Sequence, residues 1–263
     1  MRKVRVMIWG FGAMGSGMAK MLLQKEGVEI VGVFDRSDAV AGKDLYECLG
    51  LDRGGRSSIA ISSEPQKHIT EKICDVLLLA TDSFVKKAFD KIKFCLEQRI
   101  NVISIAEELA YPQAQNPELA RQLDEIAKVN GVSLLGTGIN PGFIMDYLVL
   151  ALTGTCQNVE SIYAKRVNDL SPFGRAVMEE QGVGITQEEF KSRMAEGTLA
   201  GHVGFPESIS MIASGLGIKL DKIEQTKDPI VSQTNRETPY AAVEPGNLAG
   251  IRQRGFGYAD GQC

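Results

Sequence analysis

The stretch Gly10-Phe11-Gly12-Ala13-Met14-Gly15 follows the apolar run from Val4 to Trp9 and precedes an amphipathic segment. A strand, a glycine-rich turn and a helix in this order are typical of a dinucleotide-binding βαβ unit. We expect Gly10 to permit the sharp turn, Gly12 to leave room for a phosphate beside the main chain, and Gly15 to let the helix pack on the strand. The helix that begins near Ala13 would then point backbone N–H groups at the phosphates.

A carboxylate at the end of the next apolar run strengthens this prediction. Asp35 closes the run from Val28 to Phe34 and follows Gly15 by 20 residues, where a carboxylate can bind the adenosine ribose hydroxyls. Asp35 favours the free 2′-hydroxyl of NAD, whereas the neighbouring Arg36 can pair with the 2′-phosphate of NADP. We therefore predict use of both NAD and NADP; the alternative is a glycine-rich turn that binds no ligand.

Composition limits the class of protein. With 263 residues and 44% hydrophobic content, the chain can form a nucleotide domain and a second domain. The formal charge of −4 and the lack of a dense Lys/Arg block favour a small-molecule partner over nucleic acid or a membrane surface. Five cysteines without paired spacing and only two histidines predict neither disulfides nor a metal site. We expect a cytoplasmic protein, because the first strand leaves no room for a signal peptide.

Strand-like and helix-like segments alternate along the first half of the chain. The apolar run from Asp75 to Ala80 predicts a fourth strand, and further strands are expected at residues 101–105 and 132–136. Asn116 is a candidate cap for the helix that follows it, and Gly131 a candidate end for that helix. The alternation predicts a Rossmann-type doubly wound parallel sheet in a dinucleotide-binding domain at residues 1–140.

The pattern changes after Asn140-Pro141-Gly142. We expect a smaller α+β substrate or oligomerisation domain at residues 141–263, with a linking helix at 144–152, a strand at 159–167 and a helix at 206–216. Thr186 and Glu189 have the spacing of a capping box. The segment from Gly255 to Gly261 resembles the middle of a hairpin, and the sequence ends two residues later. We hypothesise from this that the chain is truncated.

Candidate catalytic residues lie where ligands bind to a doubly wound sheet, beyond the carboxyl ends of its strands. Glu107 and Glu108 follow the fifth strand directly, and one of them is a candidate general base. The alternative is that both begin a short helix, where acidic side chains offset the helix dipole. Thr81 after the fourth strand and Ala106 after the fifth are candidate cofactor contacts, together with the residues already named: Gly10, Phe11, Gly12, Ala13, Met14, Gly15, Asp35 and Arg36.

Four further residues are candidates for substrate binding. Asn140 can donate and accept hydrogen bonds, unless its segment is merely an interdomain turn, and Phe143 would form a wall of the pocket. Arg166, expected on the first strand of the second domain, can bind a carboxylate through two parallel donors; the alternative is a solvated sheet residue. His202 lies in a glycine-flanked segment before a helix and can orient a substrate, or it is a surface histidine.

Four segments, IWGFGAMG, VFDRS, ISIAEELAYP and GTGINPGF, together resemble the 2,4-diaminopentanoate dehydrogenases, which are dihydrodipicolinate-reductase-like relatives of the native amine dehydrogenases. The resemblance extends through the whole chain. It implies NAD(P)-dependent oxidative deamination of 2,4-diaminopentanoate at C4 during ornithine breakdown, in a homodimer. It also implies that Glu108 is the catalytic carboxylate, with Glu107 as the second choice. Family members continue beyond the last residue here, which agrees with the truncation hypothesis.

Two alternative functions remain open from the sequence. The first is another imine or amine oxidoreductase, such as a reductase of a cyclic imine like dihydrodipicolinate reductase. The paired-histidine motif of that reductase is absent, since His68 and His202 are isolated in the sequence. The second is a nucleotide-sensing protein without catalytic activity, because a fold alone does not decide function.

Overall fold

The computed structural model describes residues 2–263, with residue 173 described by its backbone only. The described chain divides into two compact units, the first ending at Ile144 and the second comprising Met145–Cys263. The sequence-based boundary was residue 140.

The first unit is built on a six-stranded parallel sheet. Its strands follow the order β3-β2-β1-β4-β5-β6, as expected for a doubly wound dinucleotide-binding fold. This confirms the predicted Rossmann-type sheet. The strands are β1 (Val4–Trp9), β2 (Val28–Phe34), β3 (Ile61–Ser62), β4 (Val76–Leu79), β5 (Asn101–Ser104) and β6 (Leu134–Gly136).

Helices connect these strands, as parallel pairing requires. They are α1 (Ala13–Leu22), α2 (Leu45–Leu49), α3 (Pro65–His68), α4 (Val85–Glu97) and α5 (Pro117–Asn130), with 3₁₀ turns at Glu107–Ala110 and Pro112–Ala114. Helix α5 ends at Gly131 in the left-handed conformation, with φ of 65°, which confirms the predicted glycine stop. Asn116, however, makes no side-chain cap at the start of that helix, so the prediction of a capping side chain was wrong.

Two hydrophobic clusters pack against this sheet. One includes Leu77 and Leu79 of β4 together with Ile92 and Leu96 of α4. The other includes Ile8 of β1 and Val33 of β2 with α1 and α2 residues. Because both clusters are formed by strand residues and helix residues, burial fixes the strand ends, and therefore the loops that follow them, in place.

The second unit combines helices with antiparallel strands, which confirms the predicted α+β class. Strands β7 (Lys222–Val231) and β10 (Leu248–Tyr258) form a long antiparallel pair, and β8 (Arg236–Glu237) pairs with β9 (Ala242–Val243). The helices are α6 (Tyr147–Thr153), α7 (Arg175–Glu180), α8 (Gln187–Glu196) and α9 (Phe205–Gly215), with a 3₁₀ turn at Ser171–Phe173. Thr186 caps α8 by accepting a hydrogen bond from the Glu189 N–H at 3.1 Å, as its spacing predicted.

One predicted strand of this unit was wrong. Residues 157–170 contain no strand or helix, although residues 159–167 have strand-like composition. Tyr163 and Val167 are largely exposed, so this segment has no buried face that pairing would cover. Strand propensity reflects packing on a half-buried surface, and composition alone does not supply that surface.

Among residues 2–263, no helix has the length and apolar character needed to cross a bilayer. In the same part of the chain, no group of three or more His, Cys, Asp or Glu side chains is arranged to hold a metal ion.

Candidate active site

The glycine-rich turn between β1 and α1 is shaped by close backbone contacts. Gly10 has a φ of +100°, and a Cβ there would lie 2.4 Å from the carbonyl oxygen of Ala80. A Cβ on Gly15 would lie 1.8 Å from the carbonyl oxygen of Gly10. A Cβ on Gly12, by contrast, would meet no atom within 4 Å. Two glycines are therefore required by packing, whereas Gly12 leaves open space above the turn.

Helix α1 begins at this open space. Its N-cap residue Gly12 supplies no side-chain hydrogen bond, and Ala13 and Met14 are its exposed first residues. The first N–H groups of a helix have no partner within that helix, and they carry a partial positive charge. The turn therefore suits a pyrophosphate, as the sequence predicted.

Asp35 lies beside the turn and is bound to its backbone. One carboxylate oxygen accepts a hydrogen bond from the Phe11 N–H at 2.5 Å, and the other accepts one from the Ser37 N–H at 2.8 Å. Phe11 itself is buried in the core, and Arg36 is exposed. Asp35 thus fixes the glycine-rich turn to the end of β2, a role that the sequence did not reveal.

Thr81 follows β4 and belongs to a small polar cluster. The Thr81 hydroxyl donates to the Asp82 carboxylate at 2.6 Å, and Lys91 of α4 donates to the same carboxylate at 2.5 Å. Burial raises the pKa of Asp82, but its bonds to Lys91 and Thr81 outweigh this, so the pKa lies below its usual value. The cluster holds the backbone next to Gly10, whose turn passes over Ala80. Sequence reasoning missed Lys91, since a lysine on an amphipathic helix usually belongs to the solvated face.

Glu108 connects the loops that follow β4 and β5. Its backbone N–H donates to the Ser83 carbonyl at 3.2 Å, and its Oε2 accepts from the Val85 N–H at 2.8 Å. Val85 is the first residue of the 13-residue helix α4, so the carboxylate lies at the positive end of a helix dipole. Asn116 donates to the same oxygen through Nδ2 at 3.1 Å. No hydrogen bond to Oε1 occurs within residues 2–263.

Glu107 differs from its neighbour. Both residues begin the 3₁₀ turn at Glu107–Ala110, so the alternative interpretation of a short acidic helix start describes the backbone correctly. The side chain of Glu107 makes no hydrogen bond or ion pair within residues 2–263. Ala106, just before the turn, is 1% exposed and belongs to the core. Only Glu108 is therefore oriented by defined bonds.

A cleft of about 360 Å³ opens beside Glu108. It is lined by Phe84, Lys86, Lys87, Glu108, Gln115 and Asn116. The amino group of Lys87 lies 5.3 Å from the centre of the Phe84 ring, a cation–π distance. The cleft contributes positive charge and one apolar face next to the carboxylate.

The loop after β6 carries two of the predicted substrate contacts. The Asn140–Pro141 peptide bond is cis, and Gly142 has a φ of +115°. A Cβ on Gly142 would lie 2.4 Å from the Gly138 nitrogen, so the loop is tightly folded and requires this glycine. Asn140 is partly buried, and Phe143 is 46% exposed. Both lie at the carboxyl edge of the sheet, as the sequence predicted.

Within the second unit, Arg166 and His202 lie close enough to interact electrostatically. Arg166 is exposed and lies in the irregular segment 157–170, not on a strand as predicted. Burial, and then the charge of Arg166, lower the pKa of His202 to about 4, while Asp146 acts in the opposite direction. The His202 ring packs edge-on against Phe205, with 5.0 Å between ring centres. His202 is therefore a neutral, partly buried side chain at neutral pH, and not the surface histidine of the alternative interpretation.

The sequence analysis did not predict the buried polar side chains of the second unit. Asp146 and Glu207 are both 0% exposed, and Asp146 accepts hydrogen bonds from the Tyr147 N–H at 2.6 Å and the Ser208 hydroxyl at 2.9 Å. The predicted helix at 206–216 contained Glu207 and Ser208, but composition gave no sign that these residues lie inside. A search for polar residues on the apolar face of that helix would have found them.

Comparison with protein families matches two parts of the chain. Residues 4–106 match the N-terminal family of dihydrodipicolinate reductase, and residues 143–263 match the 2,4-diaminopentanoate dehydrogenase C-terminal domain. A 2,4-diaminopentanoate dehydrogenase from Acetoanaerobium sticklandii is 58% identical over 263 residues, which is 100% of this chain and 74% of that protein. An amine dehydrogenase from Streptomyces virginiae is 23% identical over 233 residues, which covers 86% of this chain and 62% of that protein.

Among solved structures, an amine dehydrogenase from Mycobacterium smegmatis superposes with a TM-score of 0.79 at 28% identity. The match covers 98% of this chain and 75% of the other. Sequence and fold therefore agree on the same group of proteins.

Proposed function

Because this chain belongs to the family of 2,4-diaminopentanoate dehydrogenases, we propose that it oxidatively deaminates 2,4-diaminopentanoate at C4. The products are 2-amino-4-oxopentanoate and ammonia, and the reaction belongs to ornithine breakdown. The observation that carries this proposal is the 58% identity along the whole chain to a relative of that name. The oriented carboxylate of Glu108 at the carboxyl edge of the sheet provides the base that such a reaction needs.

The reaction converts an amine, water and oxidised nicotinamide into a ketone, ammonia and reduced nicotinamide. When bound, the nicotinamide supplies the electron acceptor, which takes a hydride equivalent from C4 of the substrate. The amine must lose its extra proton first, because an ammonium group has no lone pair to assist loss of hydride. A water molecule then adds to the resulting iminium carbon, and cleavage of the C–N bond releases ammonia.

We assign both proton transfers to Glu108. Its Oε2 is held by the Val85 N–H and Asn116, so Oε1 can accept a proton from the substrate ammonium. After this proton has passed to solvent, the same oxygen can take a proton from the attacking water and return it to the amino group that leaves as ammonia. Glu107 is the second choice, since no bond orients its side chain.

The first unit fits a dinucleotide. We propose that the pyrophosphate lies over Gly12 at the start of α1, where a Cβ would meet open space. The remaining proposed cofactor contacts are Gly10, Phe11, Ala13, Met14, Gly15, Asp35, Arg36, Thr81 and Ala106. Family membership and the sheet support a nicotinamide cofactor.

We propose dual use of NAD and NADP. Asp35 is engaged with the Phe11 and Ser37 N–H groups, yet its carboxylate still ends β2 where a ribose is expected. Arg36 is exposed beside it and is free of ion pairs within residues 2–263. Its guanidinium can therefore turn toward a 2′-phosphate.

The other predicted contacts remain proposals. Asn140 and Phe143 are proposed to contact the substrate from the loop after β6. In the second unit, Arg166 is proposed to bind a carboxylate and His202 to orient the substrate as a neutral side chain. We further propose a cytoplasmic homodimer.

An assay with matched variants tests this function. The protein is incubated with 2,4-diaminopentanoate and either NAD or NADP, and the absorbance of reduced nicotinamide is followed. Glu108→Gln keeps an acceptor for the Val85 N–H but removes the base, so we expect unchanged cofactor binding and a turnover lower by about 10²–10⁴-fold.

Glu107→Gln is the matched control, with nearly unchanged turnover expected. Absence of reduced nicotinamide with both cofactors would refute the proposed function. Full activity of Glu108→Gln would remove this residue from the mechanism while leaving the reaction assigned.

A further inference from the structure

We propose that Asn116 is a positioning residue, which orients the carboxylate of Glu108. This inference rests on the proposed function, because it assigns a role within the same site. The evidence is that the buried Asn116 amide and the Val85 N–H both contact the Glu108 carboxylate, which lines a cleft.

The Asn116 side chain does not cap its own helix. It occupies the N-cap position of α5, where an asparagine side chain usually accepts a hydrogen bond from its own helix. Here no such bond forms. The side chain is 8% exposed and donates through Nδ2 to Glu108 Oε2 instead. Asn116 therefore lacks the local bond that its position favours, and its side chain instead contacts Glu108, eight residues earlier in the chain.

The backbone of Asn116 is held on both sides. The Asn116 N–H donates to the Pro112 carbonyl at 2.8 Å, and the Asn116 carbonyl accepts from the Ala120 N–H at 2.9 Å. Both backbone groups of the residue are therefore fixed, one by the preceding 3₁₀ turn and one by α5. The amide is presented from a rigid base, so it restrains the longer and more flexible glutamate.

The two carboxylate oxygens of Glu108 differ in their hydrogen-bond partners. Oε2 receives both donors, from Val85 at 2.8 Å and from Asn116 at 3.1 Å. Two donors on one oxygen fix the rotation of the carboxylate plane, and this sets the direction of Oε1. Asn116 therefore helps to fix the orientation of the Glu108 carboxylate.

The central test is Asn116→Asp. Aspartate has nearly the same shape and is as good an N-cap as asparagine, so α5 keeps its start. The variant replaces a donor with a negative charge opposite Glu108. We expect kcat at neutral pH to fall by about 10- to 100-fold with little change in cofactor affinity. We also expect the acid limb of the kcat–pH profile to move to higher pH, since the carboxylate loses a donor and gains a like charge.

Asn130→Asp is the matched control. It makes the same substitution at the other end of α5, where the Asn130 side chain donates to the Ile126 carbonyl at 2.9 Å. It should leave kcat and the acid limb unchanged. If Asn116→Asp behaves like Asn130→Asp in both measurements, the inference is refuted.

A double variant separates positioning from general damage. In Glu108→Gln/Asn116→Asp the base is already removed, so a residue that acts only by orienting this base has no further effect on turnover. We expect kcat of the double variant to stay at the value of Glu108→Gln. A further large loss of kcat in the double variant would show that Asn116 acts independently of Glu108 and would overturn the proposal.

Failure of this inference differs from failure of the proposed function. An active wild type with an impaired Glu108→Gln and a fully active Asn116→Asp refutes only the positioning role. An inactive wild type with both cofactors refutes the function itself.

Discussion

Alanine at Gly15 should damage the nucleotide-binding turn, whereas alanine at Gly17, two residues along the same helix, should not. A Cβ on Gly15 would lie 1.8 Å from the Gly10 carbonyl oxygen and 2.9 Å from its carbon. Both atoms belong to the backbone and cannot rotate away. A Cβ on Gly17 would meet nothing within 4 Å.

These distances set the expected changes in unfolding free energy. Real Cβ atoms do not approach other heavy atoms closer than 3.0 Å, so α1 must move away from the turn by more than 1 Å in Gly15→Ala. Overpacking of this kind costs about 1–3 kcal/mol of unfolding free energy. Gly17→Ala has no such cost and gains about 0.5–1 kcal/mol from the better helix propensity of alanine.

Thermal unfolding and titration with reduced nicotinamide dinucleotide measure the two effects. At about 2–4 °C per kcal/mol, Gly15→Ala should lower the melting temperature by roughly 2–12 °C, and Gly17→Ala should raise it slightly. Gly15→Ala should also raise the Kd for the cofactor at least about tenfold, equivalent to about 1.4 kcal/mol. Equal melting temperatures and equal Kd values for the two variants would refute the packing argument.

Two further predictions concern pH and cofactor choice. The pKa of His202 is about 4 in the folded chain and 6.5 for the free side chain, so the unfolded chain binds more protons between these two pH values. The stability that His202 contributes to the second unit should therefore be complete above pH 6.5 and should fall as the pH drops toward 4. His202→Gln should flatten this decline in urea midpoints measured at several pH values, and an equally steep decline in the variant would contradict the assignment. Steady-state kinetics should show use of both NAD and NADP, with Arg36→Ala raising KM for NADP more than KM for NAD. A wild-type preference above about a thousandfold, or about 4 kcal/mol, would contradict dual use.

The elements of the first unit were predictable because their signals are local. Apolar runs predicted strands β4, β5 and β6, and the glycine-rich turn predicted the start of α1 at Ala13. Gly131 and Thr186 marked the end of one helix and the start of another, because the left-handed turn at Gly131 and the Thr186 cap are both formed with residues close by in the chain. The second unit was less predictable. Segment 159–167 has the composition of a strand, but it lacks a partner surface and stays irregular.

In the candidate site, too, local features were predictable and contacts between distant residues were not. Sequence placed Glu108 after a buried strand and Asp35 at the end of another, because the carboxyl ends of parallel strands share one edge. It did not reveal that Glu108 accepts hydrogen bonds from Val85, 23 residues away, and from Asn116. Nor did it reveal that Asp35 accepts from Phe11, 24 residues away. By its local pattern, Asn116 was expected to cap its own helix.

The sequence by itself determined the parallel sheet, the glycine-rich turn and the family, because backbone preferences and hydrophobic periodicity are written in adjacent residues. Only the tertiary structure decided which of two neighbouring glutamates is held in place, and by what. That choice depends on distances between the starts of α4 and α5 and the end of β5, and packing of the helices against the sheet sets those distances.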